Sequence, residues 1–600
     1  MKITLLMNNK YFNTFLALAI AVSLSLISCG GGDNSTTDTG ENKSKNLNPE
    51  VICHELSDAQ MLNPITYSDA VAGYIVTEIF YTLLAIDFET LEPVPVVASS
   101  RPEIEITDNG GMKITYNIRP EAKWDDGEQI TAKDVEFALK VIKNPKVDNL
   151  NLKPYYEFIQ DMVFYDDPLK FTFIVDKVYI LAEITSGDMP LLPRSIYDPK
   201  GLMDEFTIKD LSTKGEELAN NEKIVEFANE FNSEKYQRDK NFINGCGPYN
   251  LEEWQTGQKI VLVKKENWWG DQLRGKGNHF DSNPPKIIYQ TINDQTTAKE
   301  ALKGGEVDVM NGIKSKDFKE LLKSEKFTKN YNTYTPPFMA YAYLGINVRK
   351  PMFSNKKTRQ ALAHLIDIDK ILDKIILGYG QRAIGPIHPS KKKDYNDNIK
   401  PYTYNPEKAK TLLAEAGWKD TDGDGVLDNT IDGEKVKFEM SYLYNQGNDT
   451  RKAVGLLFQE EARKIGITVN VISQDWSIFL ESTKQHDFDM YYGSWVSSPT
   501  PDDPKQIYHT SSYNGGSNYT GFGNDETDAL IDSIRVELDE DKRAKLYHRF
   551  QEILHDECSY IFLYHPLEKI AIHKRFSNSD PSAMRPGFRV SGFLNQSSAK

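Results

Sequence analysis

The chain has 600 residues, a formal net charge of −16, and 39% hydrophobic and 26% charged residues. The acidic balance argues against nucleic acid and other polyanions as ligands, and the composition is that of a soluble globular protein. A chain of this length divides into roughly two to four domains or lobes rather than folding around one core.

Lys2 and Lys10 flank the start of an apolar stretch over 12–27, which ends in Leu26-Ile27-Ser28-Cys29 and is followed by Gly30-Gly31-Gly32. This order reads as a bacterial lipoprotein signal: residues 1–28 are the leader, cleavage falls before Cys29, and its sulfur carries the lipid. Asn13 and Thr14 interrupt the run, which leaves it short of the about 20 apolar residues that a membrane span needs. Residues 29–49 are rich in Gly, Ser, Thr, Asn and charge and predict a flexible tether. No later stretch suits a bilayer. The expectation is a lipid-anchored body of the cell envelope, facing the periplasm or the cell exterior.

From Val51 onward strands and helices mix without an internal repeat. Asp126-Gly127 predicts a tight turn and Thr131 a helix cap. The β-branched and aromatic runs at 170–175 and 259–263 predict strands. Residues 358–377 carry apolar pairs at helical spacing, with Asp367 and Asp369 placed to cap a second helix after a break. Asn405-Pro406-Glu407 opens a further helix with Leu412, Leu413 and Ala416 on its apolar face and Gly417 at its end. The fold class is therefore α/β or α+β.

With Cys29 lipidated, Cys53, Cys246 and Cys558 remain. They allow one disulfide and a leftover thiol, or three buried thiols, and no pair has metal-ligand spacing. Asp420, Asp422, Asp424 and Asp428, with Gly425 between, hold positions 1, 3, 5, 9 and 6 of a calcium loop. Position 12 is Ile431 instead of the bidentate glutamate, so the motif reads as a structural Ca²⁺ loop or an acidic turn. There is no G-x-S-x-G elbow, no H-E-x-x-H and no P-loop, and the expectation is that the protein is no enzyme and needs no other cofactor.

Five blocks, in order, resemble one family. They are 118–137 with Trp124-Asp125-Asp126-Gly127 and Ile130-Thr131-Ala132; Asn244-Gly245-Cys246-Gly247-Pro248-Tyr249 with Asn267-Trp268-Trp269-Gly270; 301–308 with Gly304-Gly305-Glu306-Val307-Asp308; 347–367; and Trp495 with Asp503-Pro504. Together they resemble the family 5 extracellular solute-binding proteins, the peptide-binding receptors of bacterial ABC importers. The resemblance implies an α/β, two-lobed periplasmic binding protein of type II, in the large peptide-binding subclass, with an extra subdomain in its first lobe. Lobe I would comprise 50–92, 193–338 and 561–600, the inserted subdomain 93–192, and lobe II 339–560. It also implies a monomer that takes a peptide or another extended small solute and hands it to a membrane ABC permease.

The same resemblance places the ligand along Tyr491-Tyr492-Gly493-Ser494-Trp495-Val496-Ser497-Ser498, where rigid amphipathic rings stand beside small polar residues. Tyr492, Trp495, Ser497 and Ser498 are the candidates there. Peptide-binding members usually carry an aspartate three residues after this tryptophan, paired with the peptide's amino terminus; this chain has Ser498, and Asp502 and Asp503 are the substitutes considered. Asp58 and Gln60, in the loop after the first strand, and Trp476 complete the candidate site. Same-fold receptors for an oligosaccharide, a metal chelate or haem, and a surface interaction protein without transport, are the alternatives.

Overall fold

Two β-sheets with separate cores organise the chain. The computed structural model describes residues 49–149 and 152–596; the leader, Cys29 and nearly all of the tether lie outside them. The first sheet has seven strands in the order Tyr331–Tyr334, Ile570–His573, Val309–Met310, Val51–Glu55, Lys286–Thr291, Lys259–Lys264 and Tyr249–Gln255. Its central strand, β1 (Val51–Glu55), is parallel to both of its neighbours, Lys286–Thr291 and Val309–Met310. The second sheet has six, in the order Gly380–Arg382, Tyr560–Pro566, Ala340–Ile346, Met490–Val496, Glu439–Asn445 and Thr468–Gln474. Its last three strands are parallel, and helices cover both faces, as parallel sheets require. Leu344, Ile346, Met490 and Tyr492 fill one core, Tyr341, Tyr343 and Tyr491 the other.

A third, antiparallel sheet, in the order Glu103–Ile106, Met112–Asn117, Lys170–Val175 and Ile159–Phe164, lies within residues 93–192, the stretch expected as an inserted subdomain. Its inner residues Ile114, Tyr116, Phe171 and Phe173 belong to the same hydrophobic cluster as β1. Gly127 turns with φ 87°. Thr131 then caps the helix Ala132–Lys143 in a reciprocal capping box with Asp134. The caps expected at Asp367 and Asn405 also form.

The chain passes between the two sheets twice, at 335–339 and at 567–569. The passages bond to each other: Phe338 N–H donates to Pro566 C=O at 3.0 Å, and Glu568 N–H to Pro336 C=O at 2.9 Å. Two short extended segments sharing hydrogen bonds make a narrow hinge. The expected end of the second lobe at 560 is corrected here. The strand Tyr560–Pro566 pairs with Ala340–Ile346 inside the second sheet, because its largely buried side chains serve that lobe's cores. The boundary falls at 567.

The three described cysteines are separate buried thiols. Cys53 lies in the first core and Cys558 in the second. Burial pushes the Cys246 and Cys558 thiols up to about 12, which leaves them protonated and unreactive. No helix of the described residues is long and apolar enough to cross a membrane.

Candidate functional site in the interlobe cleft

In open α/β sheets, ligands bind beyond the carboxyl ends of the parallel strands, where the strand order reverses. In the first lobe that place is the end of β1, and a cavity of ≈ 210 Å³ lies there. Glu55 and Leu56 from β1 and the residue after it, Gln295 from the segment after Lys286–Thr291 and Asn311 from the end of Val309–Met310 line it. So do Pro337, Phe338 and Glu568 from the two hinge passages.

A second cavity, ≈ 530 Å³, runs deeper into the lobe. It shares Glu55, Ala70, Tyr74, Met584, Arg585 and Pro586 with the first, so the two form one chamber. The larger volume suits a small-molecule or peptide site. The helix α1 (Ala70–Ile79) supplies one wall through Ala70, Gly73, Tyr74 and Thr77, one stripe at helical spacing, while Ala72, Ile75, Val76 and Ile79 are buried in the core. Gly73 lets the wall pack closely: a methyl group there would stand 3.3 Å from the Tyr67 ring, which would have to give slightly.

The chamber is rich in ionisable groups. Burial pushes the Glu55 carboxyl up to about 8, against the opposing pull of Arg585. Burial also raises Glu78, opposed by Arg589. Arg585 reaches back to the hinge, its guanidinium 5.2 Å from the centre of the Phe338 ring.

In the second lobe, the strand Met490–Val496 ends beside the same hinge. Ser497 N–H donates to Met339 C=O at 2.7 Å, one residue from Phe338. Reciprocal packing holds this strand. Tyr343 stands opposite Gly493 and Tyr491 opposite Gly345; a Cβ on either glycine would fall 2.5 Å or less from the facing ring. The two hydroxyls share a hydrogen bond of 2.7 Å. Beyond this clamp the strand emerges. Ser494, Val496 and Ser498 are exposed and Trp495 is half-buried. Trp495 stacks on Tyr519, with ring centres 6.3 Å apart. Its Nε1 is buried with no hydrogen-bond partner among the described residues. Trp476, 55% exposed at the start of the helix Trp476–Lys484, follows the carboxyl end of the strand Thr468–Gln474.

The other expected site residues are placed differently. Tyr492 is 3% exposed, its hydroxyl bonded to that of Tyr564 at 3.0 Å, because a core covers each face of the sheet at this point of the strand. Asp58 accepts from Trp254 Nε1 at 3.1 Å and from Gly257 N–H at 2.8 Å, so it holds a turn. Gln60 is exposed, and its backbone N–H donates to Asp69. Asp502 pairs with Lys391 at 2.6 Å. Asp503 pairs with Arg535 at 2.8 Å and accepts from the Tyr179 hydroxyl at 3.1 Å. Neither is a spare anion. Tyr179 and Ile180 belong to the inserted subdomain, and Ile180 N–H donates to Arg535 C=O at 2.9 Å, so this cluster ties the subdomain to the second lobe.

Of the acidic loop, Asp420, Asp422 and Asp428 converge to within 4.8 Å. Asp424 turns instead to Lys437. Lys435 lies 3.0 Å from Asp422 and 3.2 Å from Asp428, supplying positive charge where a cation would sit. Asp428 is further held by Thr421. The loop is remote in sequence from every residue that lines the chamber.

The sequence reading missed Tyr67, Tyr74, Glu55, Asp188, Arg585 and Phe338. One signal was present: Ala70, Gly73, Tyr74 and Thr77 form a small and polar stripe on a helix that is otherwise apolar.

Two lobes joined by a bonded double passage, with a chamber at the carboxyl ends of one sheet and an aromatic rim at those of the other, are the architecture of a two-lobed solute-binding protein. The sequence model of the bacterial extracellular solute-binding proteins, family 5 Middle, matches residues 92–518; the chain belongs to that family. It is 28% identical over 553 residues, 91% of each chain, to the oligopeptide-binding protein AppA of Bacillus subtilis. The solved structure of AppA in complex with a nonapeptide superposes with a TM-score of 0.68 and 26% identity, covering 91% of this chain and 98% of that one. NikA from Brucella suis, in complex with Fe(III)-EDTA, shares the fold with a TM-score of 0.72 at 19% identity, covering 92% of this chain and 100% of that one.

Proposed function

We propose that this protein is a lipid-anchored receptor that captures peptides outside the cytoplasmic membrane and presents them to an ABC importer. The observation that carries the reading is the chamber. It joins the carboxyl end of β1 to the hinge, and the strand carrying Trp495 on the other lobe ends beside the same hinge. An occupant that reached from the chamber to that strand would touch both lobes, and the closed state would gain affinity that the open state lacks. Main-chain groups at Val496–Ser498 suit an extended ligand, and an apolar chamber wall accepts varied side chains. The peptide-bound relative supports the choice of ligand. The lipid on Cys29 would hold a monomeric body at the envelope, and the tether would leave it free to turn toward a permease.

Native mass spectrometry of the purified protein tests this. Adducts that fragment into amino-acid sequences are expected, together with a smaller radius of gyration when a peptide pool is added. A chelate, haem or sugar adduct, or scattering that no extract changes, would overturn the peptide reading.

A further inference from the structure

The wall of the larger cavity carries one carboxylate without a cationic partner among the described residues. Asp188 follows the helix Ala182–Gly187 and lines the larger cavity together with Tyr67 and Asp69. Its side chain accepts a single hydrogen bond from another side chain, the Tyr156 hydroxyl at 3.1 Å, and among the described residues it forms no ion pair. The other acids on this wall are answered. Asp69 accepts the N–H groups of Ala72 and Gln60, Glu78 has Arg589, and Glu55 feels Arg585. The nearby Tyr67, Tyr116 and Tyr156 are neutral phenols whose pKa values burial raises, and Asp188 raises them further.

Asp188 is exposed, yet so much protein surrounds it that desolvation pushes its carboxyl up to about 7. Asp188 lines the larger cavity, and both facts fit a group on such a wall. Such a carboxylate gains most from a cation brought in by an occupant. The occupant's cation also finds no free partner in Asp502 or Asp503 of the second lobe, which are spent on Lys391 and Arg535. Apolar neighbours on the same wall, Leu84, Phe88 and Pro190, would cover an alkyl stem as they do for buried lysine stems.

We infer that the chamber is a site for an alkylammonium group, with Asp188 as its counter-ion and Tyr67 beside it. This rests on the peptide-receptor reading and names its specificity: the first lobe selects peptides by a free amino terminus or a lysine side chain. Calorimetry with three probes tests it. They are penta-alanine, its N-acetylated form, and N-acetylated penta-alanine with lysine at the second position. Wild type should bind at least one ammonium-bearing probe at least about 30-fold more tightly than the N-acetylated pentamer, as expected for a buried charge partner. In Asp188→Asn, which keeps an acceptor for Tyr156, that preference should disappear. Loss with penta-alanine assigns the amino terminus, and loss with the lysine probe assigns the side chain. A preference unchanged by the substitution, or no preference in wild type, overturns the inference and leaves the peptide reading standing. Wild type that binds none of the three overturns both.

Discussion

The two lobes bring opposite chemistry to the same cleft. The first contributes a chamber whose acids sit uneasily, with Glu55 raised to about 8 and Asp188 to about 7. The second contributes an aromatic rim on a strand clamped by tyrosine–glycine pairs, and its nearby acids Asp502 and Asp503 are paired. Unfavourable charge on one side and settled packing on the other divide the work. On the reading proposed above, the first lobe would discriminate, and the second would provide a tolerant surface that closes over whatever has been selected.

The largest test of this contrast is the charge stored at Glu55. Its folded carboxyl titrates near 8, against 4.5 for a solvated glutamate in the unfolded chain. The folded state thus holds a proton that the unfolded chain has released between those values. Glu55 therefore favours the fold fully below about pH 4.5, and that stability is lost as the pH rises through 8. Glu55→Gln, which mimics the protonated form, should melt like wild type at pH 4.5 and be more stable by about 2–4 kcal/mol at pH 9. Equal melting curves at pH 9 would show that the chamber carries no such cost.

A smaller effect is expected where the subdomain meets the second lobe. Arg535→Ala leaves Asp503 with only the Tyr179 hydroxyl as a side-chain donor. The pair is partly exposed, so the loss should be about 1–3 kcal/mol, below that of a fully buried pair. The ligand-free protein should then show a larger radius of gyration by X-ray scattering. An unchanged radius would mean that this contact does not hold the lobes.

The smallest is at the rim. Trp495→Ala should weaken peptide binding by about tenfold, roughly 1–2 kcal/mol, with similar loss for charged and N-acetylated probes. A loss confined to ammonium-bearing probes would erase the proposed division between the lobes.

Much of the scaffold was legible in the sequence. Thr131, Asp367 and Asn405 each cap the helix that their local order predicted, and the run Lys170–Val175 is a strand. These features depend on neighbours within a few residues, and their physics is complete in the local chain. The site was read less well. Tyr492 and Trp495 lie three residues apart on one strand, but only the depth of the second lobe's core decides that the first is buried and the second emerges. The end of the second lobe at 566 rather than 560 likewise depends on which sheet accepts the strand Tyr560–Pro566.

By itself the sequence determined the family, the alternation of elements and the helix caps, and it carries the expectation of a lipoprotein leader. Only the tertiary structure decided which acids are spent and which are free. Asp502 is neutralised by a lysine 111 residues away, and Asp503 by Arg535 with help from a tyrosine hydroxyl 324 residues away. Asp188, inconspicuous in the sequence, ends on a cavity wall without a cation. A carboxylate's role is set by the charge within a few ångströms of it, where Coulomb energy and desolvation compete, and the distance along the chain carries no record of that.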